Sequence, residues 1–420
     1  MTKVFKFGGA LMKDAGGIRR VAGLVSDFPG TQLVVVVSAL GKTTNALELL
    51  LKSLLANDKT GIEKIFIRIR RLHFEIAESL FGNARHGVFD ELNNTFEELN
   101  QILNKTFENR YEAYDQVVSF GEMFSAIIVN AFFKENNIPS RFVDARAIIV
   151  TDSNFTSASI DWKFTRQTVS DRLIPLLEKG EIVLTQGFIG ADKDGNTTTL
   201  GREGSDFTAA LIANIIDADE ITIWKDVPGI MNADPARFDD CRKLDRISYH
   251  EAIELAFFGA SVIHPRTIQP AQHKNIPLYV CSFHDPSSFT LISDDTSFDD
   301  RLPKIILKDN QALLSIGSRQ LAFIAEENLT RIFETFSKHK IHINMMQNSA
   351  VSFSVCFNDE PEKLEALINE LKEEFFLKYN SGLQLITIRY YNGELVNELT
   401  AGKKIFLEQR SRHTIQMLVR

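Results

Sequence analysis

The sequence predicts a layered α/β domain on a mostly parallel sheet, followed by smaller α+β units. Three observations carry this expectation. Up to Cys281, apolar runs of strand length alternate with segments of helical period. One of these runs, 32–38 (QLVVVVS), is apolar on both faces, as a strand inside a parallel sheet must be. Beyond a stretch at 284–303 rich in Asp, Ser and Pro, the pattern changes to strand–helix–strand–strand–helix.

In chain order, 4–7 is a strand that ends at Gly8 and Gly9, which permit close backbone approach by a ligand. Lys6 lies within that strand. Among apolar neighbours it needs a negative partner, unless the strand is an edge and the lysine faces water. Residues 18–25 read as a helix, and 32–38 leads into Gly41-Lys42-Thr43. A P-loop would need glycine at position 36, which is Val36, and no GxGxxG occurs, so phosphate-loop and dinucleotide readings fail. Ser38 and Thr44 remain as hydroxyls at a strand's carboxyl end, where open α/β sheets place ligands. Residues from about 46 to 116 read as a helical excursion. Glu122 opens the helix that follows, at 123–134; strand 138–143 and helix 161–177 come next.

The stretch 185–216 concentrates polar chemistry. Strand 181–184 precedes it, Asp194-Gly195 marks a hairpin turn, and Thr197–Thr199 fit a second strand. A helix is expected to start near Asp206, with Gly204 and Ser205 presenting free N–H groups to an anion and Arg202 adding a positive fork. Strand 220–224 runs into a loop with Lys225, Asp226, Asp234 and Arg237, a charge pattern suited to a nucleotide phosphate with magnesium. Residues 247–258 read as a helix ending at Gly259, and 277–281 as the last strand of the domain. In the C-terminal part a second strand-rich unit, 383–419, has a polar break at 392–402 that reads as too short for a full helix.

Composition bounds the function. A net charge of −8 argues against nucleic-acid and anionic-membrane partners. No apolar run approaches the roughly 20 residues of a membrane helix. The start MTKVFKFGGA lacks a signal-peptide core. Three scattered cysteines fit a reducing, cytoplasmic setting, and no His or Cys spacing suggests a metal site.

Six motifs, in order, resemble the aspartate kinases: KFGG at 6–9, VVSALGKTTN ending at Asn45, SFGE at 119–122, TTTLGREGSD at 197–206, KDVPGIMNADP at 225–235 and FFGASVIHP at 257–265. The resemblance implies an amino-acid-kinase domain over 1–290 and paired ACT-type regulatory units over 304–380 and, shortened, 381–420. It implies transfer of the γ-phosphoryl of ATP, with Mg2+, to the side-chain carboxylate of L-aspartate, the first step toward lysine, threonine and methionine. Lys6 and Asp206 are then the catalytic pair, Asp206 orienting the lysine. Arg202 would take the α-carboxylate and Glu122 the α-ammonium, with Ser38, Thr44, Phe188, Thr199 and Ser205 lining the pocket. Lys6, Gly8, Gly9, Lys225, Asp226, Met231, Asp234, Arg237 and Ser261 would serve ATP. A lysine or threonine effector and a homodimer through the ACT units are also implied.

The sequence departs from the family pattern in places. Ala10-Leu11-Met12 follows KFGG where Thr-Ser-Val is common, Ser261 stands where many members have lysine, and Met231 replaces a frequent tyrosine. Lys225 and Arg237 are candidates to supply the lost charge. Asn344 replaces an acid usual in lysine-binding members, and Glu327 and Glu203 replace glycines, with no role assignable to Glu203. These changes keep open a same-fold kinase for another amino acid and a non-catalytic amino-acid sensor.

Overall fold

The computed structural model describes residues 1–82, 86–260, 263–319 and 323–420. It divides into two compact units. The first comprises Met1–Ile230, Lys243–Ile253 and Val262–Thr296; the second comprises Met231–Arg242, Glu254–Ser261 and Ser297–Arg420.

The elements up to Ser293 are β1 (Thr2–Phe7), α1 (Ala15–Ser26), β2 (Gln32–Val37), α2 (Thr43–Leu55), α3 (Lys59–Phe81), α4 (Val88–Leu103), α5 (Arg110–Val118), α6 (Phe120–Glu135), β3 (Ser140–Phe142), α7 (Trp162–Glu178), β4 (Ile182–Gln186), β5 (Ile189–Ala191), β6 (Thr197–Thr199), α8 (Gly204–Ile215), β7 (Glu220–Lys225), β8 (Arg246–Ser248), α9 (Tyr249–Phe258), α10 (Pro265–His273), β9 (Leu278–Ser282) and β10 (Phe289–Ser293). Eight of the strands form one sheet in the order β3-β4-β2-β1-β7-β9-β10-β8, parallel except where β10 runs against β9. β10 corrects two expectations: the strand at 277–281 is not the last, and the polar stretch 284–303 contains a strand. Its buried Thr290 hydroxyl donates to the Leu244 carbonyl and accepts from Ile230 N–H, so a side chain that reads as loop chemistry closes a buried network.

β1 is central, paired with β2 and β7, so Lys6 is no edge residue. Strand alternation sends Phe5 and Phe7 into one core with α1 and α6, leaving Lys6 on the face covered by α8. The excursion α2–α5 is amphipathic: Leu47, Leu50, Ile69, Ile76, Leu92, Phe96 and Leu99 are buried in that same core. Arg110–Glu135 is long and apolar enough to span a membrane by length and composition, but its most apolar 18-residue window is 89% buried within the fold. It exceeds the apolar length expected from the sequence because α6 is packed on all sides.

The second unit holds β11 (Lys304–Ser318), α11 (Glu326–Lys338), β12 (Ile343–Asn348), β13 (Ser352–Asn358), α12 (Pro361–Leu371), β14 (Phe375–Arg389), α13 (Gly393–Thr400), β15 (Ile405–Arg410) and β16 (Thr414–Val419). Its sheet order is β12-β13-β11-β14-β16-β15. β11 and β14 pair along most of their length. The first half of β11, from Lys304, faces the end of β14 beside β16, and its second half lies beside β13. The expected short break at 392–402 is instead the helix α13. Asn392 caps it by accepting Leu395 N–H at 2.8 Å, and Val396 is buried against Ile386 and Ile388. Phe323 and Ile324 lie outside any strand. His339 Nε2 lies 2.9 Å from the Glu370 carboxylate.

Candidate active site

The first turn of α8 meets the carboxyl end of β1. Asp206 is 2% exposed and receives two ammonium groups: Lys6 Nζ lies 2.5 Å from Oδ1, and Lys225 Nζ, at the end of β7, lies 3.1 Å from Oδ2. Burial lowers the Lys6 ammonium, with Asp206 opposing the shift. Burial alone would raise the Asp206 carboxyl, but Lys6 and Lys225 hold it below the usual carboxylate range. Burial would likewise lower Lys225, but the Asp206 carboxylate keeps it raised. The trio carries one net positive charge where strand ends and a helix N-terminus converge, an arrangement that attracts a phosphoryl group.

The trio opens on a cleft of about 460 Å³ lined also by Ser38, Thr44, Tyr114, Glu122, Thr156, Phe188, Arg202, Glu203 and Ser205. Gly121 lets the first turn of α6 pack against Ala39, where a Cβ would come within 2.9 Å of the Ala39 side chain. Glu122 Oε1 therefore accepts the Ala39 N–H at 3.3 Å, while Oε2 is buried and has no partner among the described residues. Burial pushes the Glu122 carboxyl up to about 8, against the pull of the Ala39 N–H and Lys6. Arg202 is exposed and forms no ion pair among the described residues. Phe188 sits at φ 68°, fixed by its N–H on the Thr208 hydroxyl.

Several expected site residues go elsewhere. Thr199 is fully buried and does not line the cleft; its hydroxyl donates to Asp115 at 2.6 Å. Gly8 and Gly9 do not line it either. A Cβ on Gly9 would lie 2.2 Å from the Ala39 carbonyl, so the close approach is made by the chain's own backbone. Asp226 lines a separate cleft with Lys13, Asp14 and Arg20. Met231, Asp234 and Arg237 belong to the second unit, where the Arg237 guanidinium is held by Asp309. Arg237 is thus already neutralised, and Lys225 alone of the two candidates brings charge to Asp206. Ser261 lies outside the described residues.

Sequence reasoning missed Tyr114, Asp115 and Thr156, and assigned nothing to Glu203. Glu203 caps α8 at φ 53°, and its Oε2 accepts the His264 N–H at 2.7 Å at the start of α10. Arg266 donates to the Leu200 carbonyl at 2.8 Å and covers the Phe207 ring. The end of the 257–265 motif, with Arg266 directly after it, therefore braces the loop that carries Arg202. Asp115 had no local signal, because its partners are 41 and 84 residues away.

Residues 1–282 match the amino acid kinase family. The chain is 31% identical to the lysine-sensitive aspartokinase 3 of Escherichia coli over 417 residues, covering 96% of this chain and 90% of that one. Among solved structures, E. coli aspartokinase III in complex with aspartate and ADP superposes with a TM-score of 0.84 at 28% identity, covering 100% of this chain and 96% of that one. The same enzyme in complex with lysine and aspartate gives 0.82 at 29% identity, with 99% and 95% covered. With its parallel sheet, its lysine–carboxylate–lysine trio and relatives matched over nearly their whole length, the chain belongs to the amino acid kinase family and, within it, to the aspartokinases.

Proposed function

We propose that the cleft binds L-aspartate between Glu122 and Arg202 and presents its side-chain carboxylate to the γ-phosphoryl group of ATP at Lys6 and Lys225. The observation that carries this reading is that Glu122 Oε2 and the Arg202 guanidinium, neither of which has a partner among the described residues, line a single cleft. An amino acid presents the complementary ammonium and carboxylate. ADP and aspartate bound to the E. coli relative support the same substrates here.

The attacking carboxylate is ionised at neutral pH, with an unperturbed pKa of about 3.9, so no general base is required. One of its oxygens forms a bond to the γ-phosphorus as the bond from phosphorus to the bridging oxygen of ADP breaks. The products are 4-phospho-L-aspartate and ADP. The obstacle is repulsion between two anions, so catalysis is positioning and positive charge. Lys6 and Lys225 supply that charge from the protein, and Asp206 fixes both ammonium groups before substrate arrives. Each Asp206 oxygen already faces a lysine ammonium, and magnesium would enter the site with the triphosphate. When bound, magnesium neutralises further phosphate charge. Ser38, Thr44, Phe188 and Ser205 shape the pocket wall, and Thr199 acts from behind it.

We extend the reading to regulation. The second unit would pair two copies of the chain and take a lysine or threonine effector, as lysine bound to the E. coli relative suggests. Asn344 is a neutral group there, and its amide is engaged by Lys308, Gln311 and Asn358. Free thiols at Cys241, Cys281 and Cys356 fit a cytoplasmic enzyme. Incubation with magnesium-ATP and aspartate should yield an acyl phosphate trapped by hydroxylamine as the hydroxamate. No hydroxamate above the ATP-free control would refute the reading, and a panel with glutamate in place of aspartate tests the choice of acid.

A further inference from the structure

The wall behind Arg202 contains a buried carboxylate that the reaction does not use. Asp115 on α5 is fully buried. Its oxygens accept the Thr199 N–H at 2.8 Å, the Thr199 hydroxyl at 2.6 Å and the Thr156 N–H at 3.0 and 3.1 Å. These donors come from two separate segments. Thr199 ends β6, three residues before Arg202. Thr156 sits in the loop between β3 and α7 at φ 71°, a left-handed conformation that a β-branched residue adopts only when held there.

The two segments are also joined directly. Ala158 N–H donates to the Thr199 carbonyl at 3.0 Å, and the hydroxyls of Thr151 and Thr198 meet at 2.7 Å. Gly201 is at φ 77°, and a Cβ there would come within 3.2 Å of the Thr156 carbonyl. The turn bearing Arg202 therefore rests on the residue that Asp115 holds. Tyr114, next to Asp115, lines the cleft together with Thr156, Gly201 and Arg202.

We propose that Asp115 is a positioning residue for the amino-acid end of the cleft: by gathering Thr156 and Thr199 it fixes the turn that aims Arg202 at the substrate α-carboxylate. The proposal rests on the reading of Arg202 given above. An anion with three donors from two segments acts as a rigid knot, because losing the charge leaves buried N–H groups without a full acceptor. The nucleotide end, built on Lys6, Lys225 and Asp206, shares none of these bonds.

The test is steady-state kinetics with aspartate and magnesium-ATP on the full chain, alongside thermal melts. Asp115→Asn keeps the shape but removes the charge and opposes one donor with an amide. It should raise the aspartate KM by about tenfold or more, while the ATP KM moves by less than about twofold and kcat by less than the aspartate KM. Thr199→Val removes only the hydroxyl donor and should shift the aspartate KM the same way by a smaller factor; it carries the test alone if Asp115→Asn does not fold. An unchanged aspartate KM, or equal rises in both KM values, overturns the proposal. Arg202→Ala separates the two claims. If it leaves the aspartate KM unchanged, the reading of Arg202 fails; if it raises that KM and the knot variants do not, only the role of Asp115 fails.

Discussion

A glutamate buried in the wall of a cleft is costly in its charged form unless a positive group comes to meet it. Glu122 is such a residue, with its carboxyl raised to about 8 from 4.5 by burial. An arriving substrate ammonium favours the ionised form, so aspartate should bind more tightly as pH rises toward 8. The expected kcat/KM for aspartate climbs by up to about tenfold per pH unit between about 6 and 8 and then levels. Glu122→Gln should flatten this component of the profile and raise the aspartate KM by about tenfold or more, since a charge-assisted bond contributes about 1.5–3 kcal/mol. The linkage also runs through stability. A carboxyl whose folded pKa is raised binds more protons folded than unfolded, so the free protein loses stability as pH rises from 4.5 to about 8. Aspartate should therefore raise the melting temperature more at pH 8 than at pH 6. At the other end of the cleft, Lys6→Met should lower kcat by about 10²–10³, the loss typical of a donor aimed at developing charge. Lys225→Met should lower kcat as well, because Lys225 brings to Asp206 the charge that no arginine of the neighbouring loop provides. Normal kcat in either variant would remove that lysine from the reaction.

At the scale of elements, motifs were legible but their reasons were often different. The glycines of KFGG read as room for a ligand, yet Gly9 exists for the turn 39–41: its carbonyl accepts the Gly41 N–H at 2.9 Å and its Cα faces the Ala39 carbonyl. Gly9→Ala should therefore destabilise the fold by about 1–3 kcal/mol in denaturant titration, while Gly8→Ala, whose Cβ meets nothing closer than 3.5 Å, should cost far less. Equal effects would contradict this account. The helix α8 was expected near Asp206 and begins at Gly204, with Glu203 in a left-handed conformation before it. That shift places Ser205 and Asp206 in its first turn, where a helix end supplies N–H groups. Helix α13 was missed although its signals were present: an Asn cap at 392 and apolar Leu395, Val396 and Leu399 in one stripe. The polar residues between them obscured the period.

For the whole chain, the expected outcome is an enzyme whose rate with aspartate falls on addition of lysine or threonine, measured as initial rates with each amino acid over a millimolar range. Insensitivity to both would leave the second unit without the proposed effector role. The chain by itself determined the alternation of strand and helix, the break near 284–303 and the order of six motifs, because these are local properties of period, turn chemistry and residue type. It also suggested Lys6, Glu122, Arg202, Ser205 and Asp206 as site residues, and all five line a single cleft. Only the tertiary structure decided which charges are already spent. Arg237 is neutralised by Asp309, Lys225 joins Lys6 on Asp206, and Asp115 ties together segments 41 and 84 residues distant. The physical reason is that the work a charged side chain can do depends on burial and on partners far along the chain, and neither is written in its neighbours.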